Sequence, residues 1–123
     1  MQYLGMDVHA TATVWCLLDA QGEVLREGQV RTTAAALTAL MRALSQTSEV
    51  LAGQEVGTLT SLVYDAVTAA GMTLLSCNAQ HLRMIAASRK KTDRRDVYWI
   101  AKALQSGMYP HIVVRGQHAW MKG

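Results

Sequence analysis

The chain opens with QYLGMDVHA, a short apolar and β-branched run broken by a glycine, and TATVWCLLD continues in the same vein. AQG then supplies turn residues, and EVLREGQV alternates loosely between apolar and polar positions. Strand-type runs separated by turn residues predict three consecutive strands, a β-meander. In TTAAALTALMRALSQ the period changes. Leu37, Leu40, Met41 and Leu44 recur at helical spacing, with Thr32 or Thr33 as N-cap. EVLAGQE is a short, mostly apolar run and reads as a buried strand. TLTSLVYDAVTAAG returns to helix, with Leu59, Leu62, Val63, Ala66 and Val67 as its stripe and Gly71 as terminator. MTLLSCN is another buried strand, and AQHLRMIAASRKK is helical before it dissolves into basic residues. DRRDVYWIAKALQSG is the last helix, with Val97, Ile100, Ala101 and Leu104 facing the core and Gly107 with Pro110 ending it.

The predicted order is β-β-β-α-β-α-β-α-α. Three antiparallel strands followed by β-α units suit an α/β fold of the ribonuclease-H type, a mixed five-stranded sheet with helices on both faces. Residues 1–110 form the expected domain. The tail 111–123 is poorly patterned and reads as a short strand with a frayed end.

Composition narrows the class. The chain has 123 residues, half of them hydrophobic, 17% charged, and one proline. That is enough for one domain with a real core, and it excludes a disordered chain. The longest uncharged stretch, Ala66 to Leu82, is interrupted by Ser76, Asn78, Gln80 and His81, so no membrane span is expected. Cys16 and Cys77 lack metal-ligand spacing and read as reduced, buried, cytoplasmic thiols.

Charge changes the picture more. Residues 1–82 carry three Lys/Arg against seven Asp/Glu, a net of −4, while residues 83–123 carry nine against two, a net of +7. Arg83, Arg89, Lys90, Lys91, Arg94 and Arg95 supply six of the twelve basic residues within one short segment. Such a patch suits a polyanion, usually nucleic acid, or else a solvated connection between helices.

Inside that basic segment, KKTDRRD, stand Asp93 and Asp96. Asp7 lies in the first strand and Glu55 at the end of the fourth. If those strands are parallel neighbours, both acids come to strand ends, where open α/β sheets place their ligands. Residues three apart share a helix face, so Asp93 and Asp96 can point to the same place. Four carboxylates in one place repel unless cations join them. Hard oxygen donors suit Mg²⁺, with Mn²⁺ as substitute, and two such ions can clamp a phosphodiester exchange. The bland alternatives are that Glu55 or Thr58 caps a helix, and that Asp93 is an N-cap with Asp96 favoured by the helix dipole. Tyr98 and Trp99 suit helix packing or base stacking. His9 suits a structural role or a contact to phosphate or metal.

GMDVH, and the stretch from VLAGQEVGTLT through KTDRRD into the last helix, closely resemble the N-terminal domain of DEDD transposases of the 110-type bacterial insertion sequences, the bridge-RNA-guided recombinases. The order D-E-D-D falls on Asp7, Glu55, Asp93 and Asp96. The resemblance implies a RuvC-like domain whose four acids bind Mg²⁺ beside a scissile DNA phosphate, with contacts to DNA and guide RNA. It also implies a homo-oligomer with a composite active site, and a bacterial cytoplasmic location. The family's serine nucleophile belongs to a C-terminal domain that is expected to be absent from this chain. Isolated, the chain is therefore expected to be inactive as a recombinase. Val97 stands where the family usually has alanine, and QHAWMKG departs from its usual continuation. Three other readings compete: a stand-alone Holliday-junction or RNA-processing nuclease of the same fold, a metal-free nucleic-acid-binding module, and half of a sugar-kinase or actin-like protein. The last needs glycine-rich phosphate loops that the sequence does not display.

Overall fold

The computed structural model describes residues 1–55, 57–77, 96–107 and 111–112. They form β1 (Gln2–Val8), β2 (Ala12–Leu18), β3 (Val24–Arg31), α1 (Ala34–Leu44), β4 (Val50–Glu55), α2 (Thr60–Ala69), β5 (Thr73–Cys77), α3 (Asp96–Ser106) and β6 (His111–Ile112). The helix expected within residues 79–91 lies outside the described residues.

The strands form one mixed sheet in the order β3-β2-β1-β4-β5-β6. The meander pairs antiparallel, and β4 and β5 then add parallel to β1. To the five expected strands the tail adds β6, antiparallel to β5. The β2–β3 hairpin turns at Asp19, whose Oδ1 accepts from the backbone N–H of Gln21 and Glu23. Gly22 makes that turn at φ 88°, a conformation costly for any residue with a Cβ.

Side chains alternate across a strand, so each strand feeds two cores. Leu4 and Met6 of β1, Trp15 and Leu17 of β2, and Val50 and Ala52 of β4 pack against α1 and α2. The stripe expected for α1, Leu37, Leu40, Met41 and Leu44, is buried there. Thr33 caps that helix, its hydroxyl accepting from the N–H of Ala36 at 3.1 Å. On the opposite face Tyr3, Cys16, Leu18, Leu51 and Leu75 pack against α3 through Val97, Ile100, Ala101, Ala103 and Leu104. Helices thus cover both faces, and the parallel β1–β4 pair at the centre directs two strand ends to the same edge of the sheet.

Candidate metal centre

Asp7 follows Tyr3 and Gly5 on the face of β1 that meets α3. Glu55 follows Leu51 and Gly53 on the same face of β4. The parallel register pairs Met6 with Gln54. Continued by one residue, it sets Asp7 alongside Glu55 at the C-terminal ends of both strands. α3 crosses β1 on this face, with the Val97 carbonyl directly over Gly5. Asp96, one residue earlier in its first turn, belongs to the helix that covers this same face of the sheet. Three carboxylates far apart in sequence thus belong to one face of the fold.

Asp7 is half-buried, while Glu55 and Asp96 are exposed. Among the described residues, no three His, Cys, Asp or Glu side chains stand close enough to enclose one ion. The donor chemistry nevertheless fits Mg²⁺ or Mn²⁺. These ions keep several waters and ordinarily bind through one or two carboxylates plus substrate phosphate, not in an all-protein cage. Asp7 and Glu55 offer two hard oxygen donors on neighbouring strands, with solvent on the open side. Asp93, Arg83, Arg89, Lys90, Lys91, Arg94 and Arg95 lie outside the described residues.

The alternative for Glu55 loses its basis. α2 begins at Thr60 with Leu59 at the N-cap position, and no side chain bonds to that cap. The turn before it is closed by the Thr60 hydroxyl, which donates to the Gly57 carbonyl at 2.7 Å and accepts from the Gly57 N–H at 2.8 Å. Neither Glu55 nor Thr58 is used as a cap, and Leu59 stands ahead of the helical stripe.

His9 takes a more defined position than its sequence context suggests. Its Nε2 donates to Asp7 Oδ2 at 3.1 Å, with the two side chains 65% and 35% exposed. The Thr32 hydroxyl donates to the His9 carbonyl at 2.6 Å. Since that uses the only proton of Thr32, the buried Thr13 hydroxyl supplies the one in the 2.8 Å contact between the two threonines. A chain Thr13–Thr32–His9–Asp7 therefore ties β2 and the start of α1 to the acid of β1. Thr13 inside a β-rich run gives no sign of this in sequence, because its partner is 19 residues away. Tyr98 and Trp99 contact each other edge to face, ring centroids 4.9 Å apart, and Tyr98 also packs against the α3-side core. A cavity of about 460 Å³, lined by Met1, Glu49, Gly71 and Thr73 among others, lies at the other end of the sheet, away from the carboxylates.

A three-stranded meander with parallel strands added at its first member, and acids at the ends of the central pair, defines a ribonuclease-H-like fold. Two structures of RuvC from Thermus thermophilus, one in complex with a Holliday junction substrate, share it with TM-scores of 0.65. Identity is 13% in both, and the superposition covers 91% of this chain and 99% and 100% of the RuvC chains. No curated protein sequence matches the chain. The family model DEDD_Tnp_IS110, described as a transposase, matches residues 4–120, ten residues beyond the expected domain boundary. The chain belongs to that transposase family.

Proposed function

We propose that this chain is the catalytic-acid domain of a DNA recombinase acting in insertion-sequence transposition. In this reading Asp7, Glu55, Asp93 and Asp96 hold Mg²⁺ beside the scissile phosphate. The position of Asp7 and Glu55, adjacent on one face at the ends of the central parallel strands, carries the proposal. When bound, the metal supplies charge neutralisation and polarisation at the reacting phosphate oxygens. Asp7 is the inner ligand, oriented by His9 and the threonine pair behind it. Glu55 comes from the neighbouring strand and Asp96 from the helix above. Arg83, Arg89, Lys90, Lys91, Arg94 and Arg95 hold backbone phosphates of DNA or of a guide RNA. Such contacts fix register and orientation without reading sequence. The nucleophile is a serine of the family's C-terminal domain, brought to the acids in an oligomer.

Titration of Mn²⁺ by calorimetry tests the reading. Wild type is expected to bind, and Asp7→Asn and Asp96→Asn to lose most of the affinity while remaining folded. Binding that is unchanged in both variants rules out a shared site.

A second reading has its own support, in that the fold corresponds to the whole length of a junction-bound RuvC. Here the chain cuts branched DNA by itself. Metal-dependent cleavage of a four-way junction by the purified chain, abolished by Asp7→Asn, would favour it over the recombinase.

A further inference from the structure

Gly5 is buried in the middle of β1, paired with Gly53 of β4 on one side and Cys16 of β2 on the other. It faces α3. A Cβ built on Gly5 would stand 2.2 Å from the Val97 carbonyl oxygen, 2.7 Å from the Ala101 backbone nitrogen and 3.1 Å from the Ile100 Cβ. Val97 and Ala101 are four apart, so the first two atoms are the acceptor and donor of one helical hydrogen bond. The helix therefore rests its own backbone on the backbone of β1. No rotamer change can relieve such a contact, because neither partner atom belongs to a side chain.

Asp7 is two residues beyond Gly5, and Asp96 is one residue before Val97. The contact that seats the helix thus also sets the distance between the strand acid and the helix acid. A methyl group at Gly5 falls about 1.2 Å short of the 3.4 Å at which ordinary contact begins. The far end of α3 is held by Gln105, whose Nε2 donates to the Ala20 carbonyl at 3.0 Å. Lifting the seat therefore swings the N-terminal turn, the part that carries Asp96. Mg²⁺ demands near-ideal octahedral geometry at about 2.0–2.1 Å from its ligands, so a helix acid carried out of place drops out of its shell.

We propose that Gly5 is a positioning residue of the metal centre: it lets α3 descend onto β1 so that Asp96 reaches the ion held at Asp7. The proposal rests on the reading of Asp7 and Asp96 as metal ligands. Its test is a set of Mn²⁺ titrations on wild type, Gly5→Ala, Asp96→Asn, Asp7→Asn, and Gly5→Ala combined with each aspartate variant. Gly5→Ala is expected to weaken binding at least tenfold. It should add little to either Asp96→Asn or Asp7→Asn, because the distance that Gly5 sets matters only while both acids bind the ion. A glycine that served packing alone would lower the melting temperature and leave the affinity of the folded protein unchanged. Amide exchange should quicken across Val97–Leu104 while α1 keeps its protection. If Gly5→Ala does not fold, Ile100→Phe lifts the same helix from the same seat and should show the same coupling to both aspartate variants. Wild-type affinity in either folded variant overturns the role of Gly5 alone. Failure of wild type to bind Mn²⁺ overturns the metal reading, and the positioning role with it.

Discussion

Asp7→Asn separates a metal ligand from a structural acid. The substitution keeps the shape of the side chain and removes its charge. In metal-free buffer the cost should be small. Asp7 is half-buried and its one described partner is the exposed His9, a contact 3.1 Å long. A partly exposed pair of this kind contributes about 1 kcal/mol or less. Loss of repulsion from the neighbouring Glu55 acts in the opposite direction. With metal the two proteins should part. An ion at 100 times its dissociation constant stabilises the folded state by about 2.7 kcal/mol. For 123 residues the unfolding entropy is about 0.26 kcal/mol/K. Saturation with Mn²⁺ should therefore raise the wild-type melting temperature by about 10 °C, and that of Asp7→Asn by no more than about 2 °C. Scanning calorimetry in EDTA and then in Mn²⁺ measures both. An equal rise in the two proteins would refute the assignment of Asp7 as a ligand. A large loss of stability in EDTA would show instead that the carboxylate is needed by the fold.

Leu37→Ala acts on the other face of the sheet, where Leu37 is fully buried between α1 and the strands. It should cost about 3 kcal/mol, read as a melting temperature lowered by roughly 12 °C, with Mn²⁺ affinity unchanged by calorimetry. Arg94→Ala with Arg95→Ala should weaken binding to duplex DNA across all sequences. In fluorescence anisotropy it should reduce the slope of log affinity against log salt by about 1.8, and an unchanged slope would remove those two residues from the phosphate contacts. Thr32→Val should free the His9 carbonyl and lower Mn²⁺ affinity several-fold with modest loss of stability, because the chain of hydroxyls behind Asp7 is cut.

Much of the fold was legible because periodicity and turn chemistry agree along the chain. Every residue of the α1 stripe is buried, and Thr33 supplies the cap. Gly71 and Gly107 adopt positive φ at the ends expected for their helices. The start of α2 was less legible. Leu59 fits the helical period, but the Thr60 hydroxyl closes a turn on Gly57, so the helix begins after Leu59. Of the candidate site, the acid types and their strand-end positions followed from sequence once the first and fourth strands were taken as parallel neighbours. His9, two residues after Asp7, falls on the same strand face in sequence, but the threonines behind it do not show there, since Thr32 lies 19 residues from Thr13 and 23 from His9. Gly5 reads in sequence only as a break in an apolar run. What makes it matter is a helix 92 positions later.

That separation shapes how the protein is made. Chains emerge from the ribosome N-terminus first, at about 5–20 residues per second. The strands β1 to β5 and both helices of one face are all synthesised before Asp96 exists. Contacts between distant segments are also the slowest to form. A nascent chain can thus assemble its scaffold while the Gly5 seat remains empty. Asp96 joins the face that carries Asp7 only when α3 docks. On the proposed reading, the docking of α3 is then also the step that completes the site.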